Sequence, residues 1–168
     1  MQNDISRLND WGNEWQLKLN VDKCCGMTYR PIASISNLYN TKYYLDNGNV
    51  HYELAITDSV SDLGVRFDSK LAFHDHINEK VNKAYGILGI IKRNFIHLDS
   101  KCFVLLYKVT VTPHMEYANS VWCTYKKGDI EIIEKVQKSA TKLIISLKKL
   151  SYIERLKQLQ LPTLKYRH

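Results

Sequence analysis

Apolar residues recur along this chain with two different periods. Ile5, Leu8, Trp11, Trp15 and Leu19 are spaced by 3, 3, 4 and 4, one stripe of a helix that Gly12 weakens without ending. The pattern breaks at Asn20-Val21-Asp22-Lys23, and Cys24 to Tyr29 reads as a short strand closed by Pro31. Tyr43-Tyr44-Leu45 and Val50 to Ile56 then flank Asp46-Asn47-Gly48-Asn49, whose Asn-Gly favours positive φ and a tight hairpin. A further strand is expected over Leu63 to Phe67, after a turn at Asp58-Ser59. From His76 the period is helical: Ile77, Val81, Ala84, Leu88, Ile91 and Phe95 are spaced 4, 3, 4, 3 and 4, predicting a helix of about five turns. Asp99-Ser100 caps a second helix carrying Phe103, Leu106 and Tyr107 and expected to end near Pro113. The aromatic-rich stretch Met115 to Tyr125 reads as helical, and a fourth helix is expected from about Asp129 to Leu147. A fifth starts where Ser151-Tyr152-Ile153-Glu154 matches a capping box, and Leu161-Pro162 ends it. The expected fold is α+β, with a short helix and a few antiparallel strands over residues 1–73 and an all-α bundle over residues 74–168.

Composition narrows the class. A chain of 168 residues, 45% hydrophobic with 7 Gly and 3 Pro, suits one ordinary domain or two small ones, not a collagen-like or long disordered segment. No run approaches the roughly 18–20 apolar residues that span a bilayer, and Met1-Gln2-Asn3-Asp4 opens no basic-then-apolar leader, so membrane and secretory readings fall away. Cys24, Cys25, Cys102 and Cys123 form no C-x-x-C and have no His at zinc-finger spacing. Four reduced, largely buried thiols in an intracellular, reducing compartment are expected.

Charge divides the chain more sharply than its formal total of +7 suggests. Residues 1–75 hold 7 Lys/Arg and 10 Asp/Glu, a net of −3, whereas residues 76–168 hold 17 and 7, a net of +10. All the excess positive charge lies in the helical part, which points to a polyanionic partner.

The candidate chemistry is sparse. No phosphate-cradling Gly-rich loop, nucleophile elbow or HExxH occurs. Alternate ligands such as His74 and His76 suit a metal only on a strand; here they precede a helix, where Asp75 complements the N-terminal dipole. On the expected fourth helix, Ile133, Val136, Ala140, Leu143, Ile144 and Leu147 share one side, with Lys135, Lys138, Lys142 and Lys149 almost opposite. Glu131–Lys135 and Glu134–Lys138 are favourable i,i+4 pairs, whereas Lys142, Lys148 and Lys149 have no such partner. Together with Lys138 on the same ridge and Lys92 and Arg93 closing the long helix, they are candidates for phosphate contact, the alternative being a solvated face.

Several strings carry a more specific signal. Trp11 and Trp15 followed by Leu17-Lys18-Leu19-Asn20-Val21-Asp22-Lys23-Cys24 resemble a W-x-x-x-W-x-[LM]-x-[FL]-N-x-x-K-[CT] segment. Asp62-Leu63-Gly64-Val65, Asp68, Leu71-Ala72-Phe73 and His76-Ile77 fit D-L-G-V-x-x-D-x-x-L-x-F-x-x-H-I. Leu106-Tyr107-Lys108, Pro113-His114-Met115-Glu116-Tyr117-Ala118, Val121-Trp122, Glu134 to Lys138, Ala140 to Lys142, Leu150 to Tyr152, Glu154 to Leu156, Leu161 to Leu164 and Arg167 continue the order. Together they resemble the non-LTR retrotransposon (LINE-type, jockey-like) reverse transcriptases, collinearly from end to end.

The resemblance implies a palm C-terminal remnant with a primer-grip strand over residues 1–73 and a thumb over 74–168. It places Leu63, Gly64 and Val65 at the primer grip, and Lys23 where a lysine is thought to give a proton to leaving pyrophosphate. It implies an RNA template and DNA primer held as an RNA–DNA hybrid, and a nuclear location. The family's metal-binding aspartates lie in a [FY]-A-D-D string and an earlier palm strand, and no A-D-D occurs here. Asp22, Asp62 and Asp68 stand outside the family's metal positions, so the expectation is a portion cut after the catalytic hairpin, inactive alone. No cofactor is expected in this chain, the parent enzyme's Mg2+ belonging with the missing palm and fingers. The alternative is a helical protein-interaction or host-adopted module with no nucleic-acid role.

Overall fold

The computed structural model describes residues 1–29, 42–47, 50–123 and 126–164. The chain mixes helix and sheet, an α+β class, and divides into two compact units, Met1–Ala72 and Phe73–His168.

In the first unit, α1 (Gln2–Glu14) ends sooner than its apolar stripe suggests. The Leu17 N–H donates to the Gly12 carbonyl and the Gln16 N–H to Asn13, with Gln16 at φ 58°, a Schellman closure. A Cβ at Gly12 would stand 2.9 Å from the Leu17 carbonyl oxygen, so the glycine is what lets the chain fold back, and Leu19 falls outside the helix. After a 3-10 turn, Val21–Lys23, strand β1 (Cys25–Gly26) is only two residues long. Strands β2 (Tyr44–Asn47) and β3 (Val50–Glu53) form an antiparallel hairpin, Tyr44 opposite Glu53 and Asn47 opposite Val50. The Gly48-Asn49 turn residues lie outside the described residues. Strand β4 (Ala55–Ile56) pairs with β1 in parallel, unlike the all-antiparallel expectation. The Gln2 side-chain amide donates to the Tyr44 carbonyl at 2.8 Å and accepts from its N–H at 3.0 Å, tying α1 to β2.

Strands β5 (Ser59–Asp62) and β6 (Val65–Asp68) make a second hairpin. Leu63 and Gly64, expected in a strand, are instead its two turn residues, at φ 45° and 77°. Positive φ at both central positions matches the right-handed twist of the flanking strands. The expected turn at Asp58-Ser59 ends one residue early, since Ser59 opens β5.

The second unit is helical. Helix α2 (His74–Asn94) buries Ile77, Val81, Ala84, Leu88 and Ile91, the face its spacing predicts, and leaves Phe95 outside. Asp99 caps α3 (Ser100–Leu106) by accepting from the Cys102 N–H at 3.0 Å. The helix does not stop at Pro113: a π-turn over Tyr107–Val111 leads into α4 (Thr112–Glu116) with the proline in its first turn, where a missing N–H costs nothing. The Tyr107 carbonyl accepts both the Thr112 N–H, the i+5 bond of the π-turn, and the Thr112 hydroxyl at 3.2 Å. Tyr117 and Ala118, the latter at φ 52°, break the stretch before α5 (Asn119–Trp122), so Met115 to Cys123 is not one helix; Thr124 and Tyr125 lie outside the described residues. Helix α6 (Lys127–Thr141) also stops early, followed by a 3-10 turn, Ile145–Leu147, and α7 (Tyr152–Leu159) with its capping box complete.

The core sits in this second unit. Among the described residues 22 apolar side chains are buried, and of these Leu45 and Val65 belong to the first unit. Helix α2 packs on α6, on α4 and on the π-turn, around Phe103, Tyr107, Met115, Trp122 and Ile133. The thiols depart from expectation: Cys25 and Cys123 are exposed and Cys24 and Cys102 half-buried, because Cys25 lies on a two-residue strand and Cys123 just past a one-turn helix.

Candidate nucleic-acid interface

The basic residues are set by where helices end. Lys92 and Arg93 are exposed in the last turn of α2, where cations also complement the dipole. A single ridge on one long helix does not form. At the end of α6 the Thr141 hydroxyl donates to the Lys138 carbonyl at 3.1 Å, while the Lys142 and Leu143 N–H groups bond three residues back. These tighten and close the helix. Lys142 therefore caps α6, and Lys148 and Lys149 stand exposed in the turn before α7.

Lys138 is differently placed. Its ammonium lies 5.4 Å from the centroid of the Tyr152 ring, a cation–π contact within the unit. The Tyr152 hydroxyl donates to Glu134 and lies 3.2 Å from the Gln137 amide oxygen. Burial first, and the bond to Glu134 second, raise this hydroxyl above its ordinary range, so it stays protonated. Lys138 also lines a cavity of about 380 Å³ with Lys127, Ile130, Glu131, Glu134, Tyr152 and Thr163. Two carboxylates in the same cavity oppose a phosphate there. The expected Glu134–Lys138 pair thus gives way to a Tyr152-centred arrangement, and the cations suited to phosphate narrow to Lys92, Arg93, Lys142, Lys148 and Lys149.

In the first unit, Val65 is 3% exposed, so its side chain is closed to a ligand, whereas Leu63 at the hairpin tip is 83% exposed. Lys23 is exposed at the end of its 3-10 turn, whose start is capped by Asn20 accepting from the Asp22 N–H at 3.1 Å.

The two histidines in the first turn of α2 part company. His74 Nδ1 lies 2.7 Å from Asp129 on α6, a buried carboxylate, which fastens the starts of α2 and α6 together. His76 is buried against Trp122, ring centroids 5.5 Å apart. Desolvation, with the Lys80 charge one turn on, holds its imidazole below the usual value. Among the described residues no three His, Cys, Asp or Glu side chains lie together as a metal would need.

Sequence reasoning missed Gln137, a buried amide whose Nε2–H donates to the Pro162 carbonyl at 3.0 Å and whose oxygen accepts the Leu164 N–H at 3.1 Å. Its only early signal is a polar residue on the apolar side of α6. Lys80, buried with its ammonium 5.9 Å from the Tyr117 ring, was missed likewise. No family model, curated protein or solved structure matches the chain. No helix among the described residues is long and apolar enough to cross a membrane. Fold and site thus define an α+β chain with a basic helical unit.

Proposed function

We propose that this chain is the palm-end and thumb portion of a non-LTR retrotransposon reverse transcriptase, and that its helical unit binds an RNA–DNA hybrid through the phosphates. The observation that carries the reading is that five cations, Lys92, Arg93, Lys142, Lys148 and Lys149, stand exposed at helix ends and turns of a unit holding 17 Lys/Arg against 8 Asp/Glu. The collinear motifs supply the kind of polyanion. The described residues do not fit Mg2+, so no step of phosphoryl transfer is assigned to them.

Filter binding of an RNA–DNA hybrid across a salt series tests the reading. Five phosphate contacts give a slope of log K against log salt of about −4.5, or about 500-fold weaker binding between 50 and 200 mM salt. Changing Lys142, Lys148 and Lys149 to Glu reduces the slope to about −2 with an unchanged circular dichroism spectrum. No binding at 50 mM salt refutes the reading.

A protein-interaction module is the second reading, and one observation favours it. Leu8 and Trp11 on α1 and Trp15 at its C-cap form an apolar patch that is more than half exposed at each position. On that reading the triple lysine variant keeps its protein partner and never bound the hybrid.

A further inference from the structure

We infer that Ser151 is a phosphorylation site for a basophilic protein kinase, and that phosphate there weakens the grip of the helical unit on nucleic acid. The regulatory half rests on the nucleic-acid reading above; the site itself does not.

Ser151 is the one Ser or Thr in the sequence with Lys or Arg at both the second and the third position before it, Lys149 and Lys148. Kinases that recognise basic substrates hold such side chains with their own carboxylates, through charge-assisted hydrogen bonds. Both lysines are exposed, as is Ser151. Ser151 itself is extended, at φ −62° and ψ 159°, while Lys148 is helical at φ −58° and ψ −32° in the turn before it, so the kinase must open that turn, held by the Leu150 N–H to Leu147 carbonyl bond at 3.0 Å, to bind the segment extended. The hydroxyl is loosely held, accepting the Glu154 N–H at 3.4 Å.

In the reaction, the Ser151 Oγ bonds to the γ-phosphorus of ATP as the bond from that phosphorus to the β,γ-bridging oxygen breaks. ADP leaves, and the hydroxyl proton passes to the kinase's catalytic base.

The consequence follows from position. A phosphoserine carries about −1.5 to −2 charges at pH 7. At Ser151 it starts α7, where helix N–H groups and the dipole favour an anion, and it lies two and three residues from two of the five cations. Lys148 and Lys149 then pair with phosphate of their own chain. The Glu154 carboxylate, which now accepts the Ser151 N–H at 2.8 Å, is repelled. Removing two contacts from five lowers the salt slope from about −4.5 to about −2.7, and hybrid affinity at 0.1 M salt by about 60-fold.

The test incubates the full chain with the catalytic subunit of cAMP-dependent protein kinase and Mg-ATP, then maps phosphate by peptide mass spectrometry. Phosphate is expected on Ser151, absent in Ser151→Ala, and formed at least tenfold more slowly when Lys148 and Lys149 are both Ala. No phosphate on Ser151, or equal rates in the double lysine variant, overturns the site. Hybrid binding is then compared for the phosphorylated and untreated chains. Unchanged affinity and slope in the phosphorylated chain overturn the regulatory half. Untreated chain that binds no hybrid overturns the nucleic-acid reading and the regulatory half with it, while the mapping still decides the site.

Discussion

Replacing Gln137 by Leu tests whether the second unit closes as described. The two side chains are close in size, so packing in the core changes little. What changes is polar satisfaction: the buried Leu164 N–H loses its acceptor and the Pro162 carbonyl loses its donor. A buried amide left without a partner costs about 1–3 kcal/mol, and the carbonyl of exposed Pro162, open to water, less, so a loss of about 2 kcal/mol is expected. For a helical unit of this size that lowers Tm by roughly 8–16 °C. Hydrogen exchange gives the decisive reading, because the damage is local. The Leu164 amide loses protection about 30-fold, the equivalent of 2 kcal/mol, relative to amides of α2. The reasoning fails if Tm and Leu164 protection both match the parent, and its local part fails if α2 and Leu164 lose protection equally.

Three further outcomes are expected. His76 sits buried with a lowered pKa, so the unfolded chain binds more protons than the folded one as pH falls below about 6.5; urea denaturation of the helical unit weakens from pH 7 to pH 5, and His76→Gln flattens that dependence. Aromatic disulfide reagents label Cys25 and Cys123 fast and Cys24 and Cys102 slowly, since the first two are exposed and the others half-buried; four equal rates contradict the burial. Limited proteolysis cuts before Phe73 first, because among the described residues 20 of the 22 buried apolar side chains lie after it, and equal resistance on both sides contradicts this.

Local signals explain what the sequence revealed. The i,i+3 and i,i+4 spacing of α2, the Asp99 cap and the Ser151 capping box are each decided by neighbours within one or two turns, and each appears in the structure. Helix ends were harder. Gly12 reads as a flaw inside a helix until the Leu17 carbonyl is seen against it, and Pro113 reads as a stop until a π-turn places it in a first turn. Leu63 reads from the sequence as the start of a strand, yet the register of Asp62 opposite Val65 leaves Leu63 and Gly64 for the turn, both at positive φ. At the interface, the lysines were legible as a composition but not as a surface. Which of them is open to a phosphate depends on Tyr152, fourteen residues from Lys138 in the chain, and on two glutamates that share its cavity.

The distribution of the core bears on how the two units work. Covering Leu8, Trp11 and Trp15 by any partner surface stabilises the first unit by roughly 1.5–3 kcal/mol per side chain if each is fully buried, and by about half that from its present exposure. Three half-exposed side chains therefore hold back about 2–5 kcal/mol, which approaches the stability of a whole small domain. A unit whose described residues bury two apolar side chains and which carries such a face gains order from whatever covers it, whereas the helical unit carries its own core. Charge runs the same way, with the excess Lys and Arg on the self-sufficient unit. On the proposed reading, a phosphate-binding surface needs a rigid base to hold cations in register, which the capped helices after Phe73 supply. The same reading gives the exposed apolar side chains of the first unit no part in hybrid binding, so loss of Trp11 and Trp15 should alter its protease sensitivity while leaving the salt slope of hybrid binding unchanged.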